Sequence, residues 1–520
     1  MRTRIIADNA VTRVVLIAVL QVAVCLAATP ARSALIIVND NSTADGFNSQ
    51  GCTLARAIRY MNAGTAGFDI LCGPGGTFGN DDTIYFYLGP GTPKITVTSN
   101  GFDYQQIPDI NVPLVIEGAT GGATRIEIVP GAGAVLPALR VRSSNVQIRN
   151  LVIHGFALAQ IDVGSVSDVQ IKGSYLGTNA SGLTSSPTSS GIVANGSSAV
   201  AISGNVISGN KFAGMNITNA SNIQVSGNYI GVGADGLTAL GNCGDGSDGS
   251  TGAIAIGSSQ SITISGNVIA ANHCNGIRAA GTGNPGSDPD NVIVTGNLIG
   301  VGVDGITPRG NGGVLANADC GVKILANSDV VYNAVSGNVI ANNQYCGVLG
   351  FGDGISGAVP MNILDIEGNA LFGNGALGFD LSATVSGDGA TANDANGHDS
   401  GVNLFQNHPA LTNAWNTVGD QLYVTGTLGS PNTPNQTVRV EVFANPAGET
   451  QGRHYLGAFG IALDGSGNGS FKDQGPFVLP PVAPDITLTA TTDFGSSEMS
   501  VATTSATSTD IVFANGLDVE

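Results

Sequence analysis

One phrase recurs eight times between residues 145 and 371: an apolar pair two residues apart, a short polar turn, then Ile or Leu. Centred on Leu151, Ser174, Asn205, Asn228, Asn267, Asn297, Asn338 and Asn369, it places Ile153, Leu176, Ile207, Ile230, Ile269, Ile299, Ile340 and Leu371 two positions on. Five and three positions before the centre, only Asn333 is polar. Centres are 23 to 41 residues apart, as expected of a fixed unit carrying insertions of different lengths. A second series interleaves with the first, each member opening on glycine ahead of an apolar run: Gly191, Gly214, Gly252, Gly276, Gly321, Gly347 and Gly378. The runs are short, alternate with period two and are bounded by Gly and Asn, which argues for strands. Like pairs with like along such a chain, so the strands stack in parallel, with a column of Ile and Val inside and Asn side chains bonding up and down the stack. The expected fold is all-β, a right-handed parallel β-helix of roughly ten rungs, about 50 Å long.

Charge and cysteine content narrow the partners and the compartment. The formal net charge is −19, and residues 1–33 hold Arg2, Arg4, Arg13 and Arg32 against Asp8, so the remainder carries −19 − 3 = −22. With five lysines in all and no basic cluster, nucleic acid is excluded as a partner. Residues 1–33 read as a signal peptide: a basic start, an apolar run over 14–28 that is short for a membrane span, and Ala31-Arg32-Ser33 as cleavage site. No other segment is apolar enough to be transmembrane, and a secreted or outer-surface protein is expected. Six cysteines then remain, an even number for an oxidising compartment. Cys320 and Cys346 directly precede Gly321 and Gly347 on adjacent rungs, and Cys243 and Cys274 precede Gly252 and Gly276. Stacking pairs Cys320 with Cys346 and Cys243 with Cys274, and elimination leaves Cys52 with Cys72. Buried free thiols are the competing reading.

The chain divides by pattern into a cap over 34–108, the β-helix over 109–385, a Gly/Asp/Asn/Ser linker over 386–410, a second strand region over 411–501 and a tail over 502–520. In the cap, Leu54, Ala57, Ile58 and Met61 share one helical face behind Thr53 as N-cap. That helix is placed to cover the open apolar end of the coil. In the second region, runs at 422–427, 438–443, 454–459 and 485–490 alternate cleanly between Pro, Asn and Gly turns, predicting an antiparallel, immunoglobulin-like β-sandwich. Trp415 reads as its core or edge packing rather than a sugar platform.

The repeats resemble the parallel β-helix repeats of the pectate-lyase-like superfamily, as found in large secreted bacterial proteins. Insertions such as 229–242, echoed at 298–311 and 175–189, are typical of that group. The stretch Cys52-Thr53-Leu54-Ala55-Arg56-Ala57 is similar to the CSLREA-type domain that precedes such coils, with Ala55 and Arg56 where that motif has Arg and Glu. Losing that Glu removes the reciprocal half of a capping box.

A catalytic constellation is harder to find. β-Helix hydrolases need carboxylates converging on adjacent rungs. The paired Asp, Gly-His-Gly and Arg-Ile-Lys of polygalacturonase relatives do not occur in the rungs. Lyases need a basic residue poised over a metal-bound or neutralised carboxylate. The isolated candidates are His154, His273 and Arg278, with solvated strand-end residues as the plain alternative. Asp394, Asn396 and Asp399 space side-chain oxygens as a calcium loop does, against a solvated turn. Asp235 and Asp304 recur in equivalent loops, each before Gly, which points to turn geometry. Two functions follow: a non-catalytic, adhesin-like scaffold contacting extracellular polysaccharide or cell surfaces, or a polysaccharide lyase or glycoside hydrolase acting on an acidic or neutral glycan.

Overall fold

The computed structural model describes residues 33–42, 51–65, 71–79, 81–98, 106–244, 252–313, 318–326, 329–352, 355–356, 359–360, 362–395 and 400–507. The expected leader, apart from Ser33, and the tail beyond residue 507 lie outside them. Among the described residues no helix is long and apolar enough to cross a membrane.

Strands alternate among three parallel sheets of eleven, ten and nine strands, and within each sheet successive rungs are neighbours. The chain therefore coils, one strand per sheet per turn. Register follows the repeat: Val169 pairs with Val200 and Ile171 with Ile202 in the eleven-stranded sheet, and Ile207 with Ile230 in the ten-stranded one. In the nine-stranded sheet Gly252 pairs with Asn275, so Ala253 rather than Gly252 takes the place of Gly276. Ile207, Ile230, Ile269, Ile299 and Ile340 are all fully buried, each worth roughly 2 kcal/mol of transfer free energy. Asn333, the one polar residue in an apolar column, is buried because its Oδ1 accepts the Val292 N–H at 2.9 Å.

Asparagines fill two rows of buried turn positions along the coil. Asn205, Asn228, Asn267, Asn297, Asn338 and Asn369 form a ladder in which each Oδ1 accepts the backbone N–H of the residue one rung before, at 2.8–3.0 Å. A second ladder, which the sequence reading did not foresee, joins Asn210, Asn242, Asn272, Asn311, Asn343 and Asn374 in the same way. The insertions form antiparallel hairpins closed by Thr178–Ser185, Val232–Ala239 and Val301–Pro308, and they stack through Ala234 N–H to Gly182 O and Val303 N–H to Gly236 O. Asp235 and Asp304 hold the turns, accepting the amides two and three residues on, so they are turn residues.

At the N-terminal end the helix Leu54–Ala63 buries Leu54, Ala57, Ile58 and Met61, with the Thr53 hydroxyl accepting the Arg56 N–H and Gly64 closing the other end at φ 61°. The structure pairs Cys52 with Cys72, Cys243 with Cys274 and Cys320 with Cys346, at Cα separations of 4.8, 6.0 and 4.6 Å, the last two as stacking gives and the first as elimination left it.

Beyond residue 409 two mainly antiparallel sheets form a β-sandwich around Leu422, Val424, Val440, Val442, Ile486 and Leu488. Its strands include Asn468–Val478, absent from the sequence reading because Gly, Asp and Pro interrupt its alternation and its register shifts twice against Gln421–Gly429. The sandwich seals the last rung. Gln451 ends the second asparagine ladder at Asn374, Gly452 O accepts the Leu371 N–H, and Ser496 Oγ accepts the Ile366 N–H at 2.8 Å. Val402, within the Gly-rich connecting segment, is fully buried in the solenoid core.

Candidate functional site

Alternation along each strand of the eleven-stranded sheet sends Ile and Val inward and leaves polar residues outside. Register then builds an outward column of hydroxyls, Ser203–Ser226–Ser265–Thr295–Ser336, one per rung. Beside it runs Gln170–Ala201–Gln224–Thr263–Ile293–Ala334. Small and amide side chains make this face shallow, and the hydroxyls repeat about every 4.8 Å. Arg149 and Lys172 bound the column at one end and Glu367 at the other.

The sequence candidates for chemistry do not converge. His154 lies by the ten-stranded sheet with Nε2 2.9 Å from Glu127 Oε1, so an acid partner exists that the repeat did not reveal. His273 is exposed, in the turn before Cys274, with its backbone N–H donating to Asn242 O. Arg278 stands on the nine-stranded sheet, a different face from His154. Of the calcium candidates, Asp394 lies in a segment tied to Asn407 by two backbone contacts, while Asn396 and Asp399 are outside the described residues.

Arg278, a sequence candidate, has charged neighbours that sequence reasoning did not bring together with it. In register with it is Lys323, buried, its Nζ 3.5 Å from Ala318 O. Burial, then the Arg278 charge, hold the Lys323 ammonium below its usual range, with Asp319 and Asp380 pulling the other way. Two rungs on, in the same outward column, Asp380 is fully buried and neither carboxylate oxygen makes a well-aligned hydrogen bond. Burial, followed by the Asp388 carboxylate, pushes it up to about 6. Burial likewise raises Asp319, whose Oδ1 accepts from Asn275 Nδ2, and Tyr345. From the sandwich, Glu498 accepts the Leu381 N–H on Oε1 and the Thr391 N–H on Oε2, both at 2.8 Å. Burial pushes it up to about 7. A signal for part of this set was present: Arg278, Lys323 and Asp380 each stand two residues after a strand-opening glycine.

Residues 137–299 match the family model described as "Right handed beta helix region". The chain is a right-handed parallel β-helix. No curated protein matches it. Among solved structures, the β-helix is similar to ORF18 of Geobacillus virus E2, at 13% identity over 86% of this chain and 80% of that one, TM-score 0.42. It is also similar to the Dettilon tailspike protein, 12% identical over 90% and 94%, TM-score 0.35. PfbA, a surface adhesin of Streptococcus pneumoniae, is 11% identical over 57% and 84%, TM-score 0.19.

Proposed function

We propose that the protein is a secreted or cell-surface scaffold that lays an extended polysaccharide along the outer face of the eleven-stranded sheet. The supporting observation is the hydroxyl column Ser203–Ser226–Ser265–Thr295–Ser336, a rung-periodic row of donors and acceptors on a shallow, unhindered face. A linear glycan offers hydroxyls at a comparable repeat, and many weak, evenly spaced bonds suit adhesion better than turnover. Three disulfides fit an oxidising compartment. The test is affinity electrophoresis in gels containing neutral and acidic polysaccharides. Retardation that is lost in the double variant Ser226→Arg/Ser265→Arg supports the reading, and unchanged retardation counts against it.

A second reading, a polysaccharide lyase or hydrolase, draws on the Arg278, Lys323, Asp319, Asp380 and Tyr345 set, where cations and carboxyls of shifted acidity lie together on one sheet. Shifted groups of this kind gather at catalytic sites and also in structural ion networks. Release of reducing ends or unsaturated uronates from the same polysaccharides, abolished by Lys323→Met, would carry that reading instead.

A further inference from the structure

The single tryptophan of the chain is on the outside of the sandwich. Its strand neighbours Ala414 and Asn416 point inward and are buried, so alternation turns Trp415 outward. Three contacts fix the ring there. Tyr423, directly across the strand pair, stacks on it with centroids 4.5 Å apart and planes 15° from parallel. The indole N–H donates to Asp473 Oδ1 at 3.0 Å. Asp473 is itself held, accepting from Thr425 Oγ1 at 3.2 Å while its own N–H donates to that hydroxyl at 3.0 Å. Behind Tyr423 lies Gly475, where a β-carbon would stand 3.1 Å from the ring. On the other flank of Trp415 the paired residue is Ala506, small and exposed.

We propose that Trp415, braced by Tyr423 and edged by the Asp473 carboxylate, is a stacking platform for one pyranose ring of a neutral glycan. This rests on the reading that the protein binds polysaccharide, and it adds a second contact on a different part of the molecule. The electron-rich face of an indole complements the C–H face of a pyranose. An exposed carboxylate beside it, with only one oxygen engaged by the protein bonds just described, accepts sugar hydroxyls through charge-assisted bonds. The same carboxylate, on a chain of net charge −19, disfavours a uronic acid. Because the rings are already held, little side-chain entropy is lost on binding.

Intrinsic fluorescence tests this directly, since the lone tryptophan reports on its own site. The full chain is titrated with laminarin and with xylan, with alginate as the acidic control, and retention is measured in affinity gels. A saturable fluorescence change with laminarin or xylan and none with alginate is expected. Trp415→Ala should weaken retention about tenfold, the loss of one stacking contact, while Trp415→Phe, which keeps the stack and the fold, retains most of it. No fluorescence change with either neutral glycan, or Trp415→Ala retained like the parent, overturns the platform. The solenoid reading fails separately: if Ser226→Arg/Ser265→Arg binds as the parent does while Trp415→Ala does not, the platform stands and the sheet face falls.

Discussion

A buried polar group in the middle of the rod and one at its end face the same requirement and meet it in opposite ways. Asn267 accepts the Asn228 amide at 2.9 Å and donates to Val225 O and Asn297 Oδ1, so every rung satisfies the one before. Asp380, on a strand with no following rung, is just as buried, and neither of its oxygens makes a well-aligned hydrogen bond. Translation along the axis gives each donor an acceptor one coil away, and that supply stops where the coil stops. The end must then be completed from another element, which is the work of Gln451, Ser496 and Glu498.

The largest expected effect tests the interior. Asn267→Ala removes acceptor and donor together and strands the Asn228 amide and the Val225 carbonyl, a loss of about 3 kcal/mol or more by chemical denaturation. A loss below 1 kcal/mol would mean that water enters the ladder and that the contrast with the end is false. Removing the Cys320–Cys346 bond by double substitution with Ser opens a loop of sequence separation 26 and should lower stability by about 3 kcal/mol. An unchanged melting temperature under non-reducing conditions would show those thiols unpaired.

The end is sharpened by pH. Burial, followed by the Asp388 carboxylate, pushes the folded Asp380 carboxyl up to about 6, with Lys323, Tyr345 and Glu498 also facing it. A carboxyl raised by folding contributes its stability below the unfolded value and loses it as pH climbs through the folded one. The Asp380 contribution should therefore favour the fold more at pH 4 than at pH 8. Asp380→Asn, neutral throughout, should recover on the order of 2 kcal/mol at pH 8 and nothing at pH 4. A parallel shift at both values would sink this account. The smallest effect is at the other end, where Thr53→Ala should cost about 1 kcal/mol through loss of its bond to the Arg56 amide.

How much was legible follows the same division. The Ile columns, the first asparagine ladder and two of the cystine pairs could be read because repetition fixes register, and register fixes neighbours. The second ladder was hidden because Asn242 and Asn311 follow insertions and so lose their constant distance from the centres at Asn228 and Asn297. The Lys323, Asp380 and Glu498 set escaped for a further reason: Glu498 is 118 residues from Asp380, in a fold with no periodicity to predict its approach. His154 was judged without an acid, yet Glu127 reaches it from the preceding rung, where the recurrent phrase has not begun.

A stack of strands with an open edge is a template, and the asparagine rows make that edge specific as well as adhesive. By placing Gln451 against Asn374, the sandwich acts as a chain terminator. A molecule shortened before residue 410 would expose a ready seat for the strand of another copy.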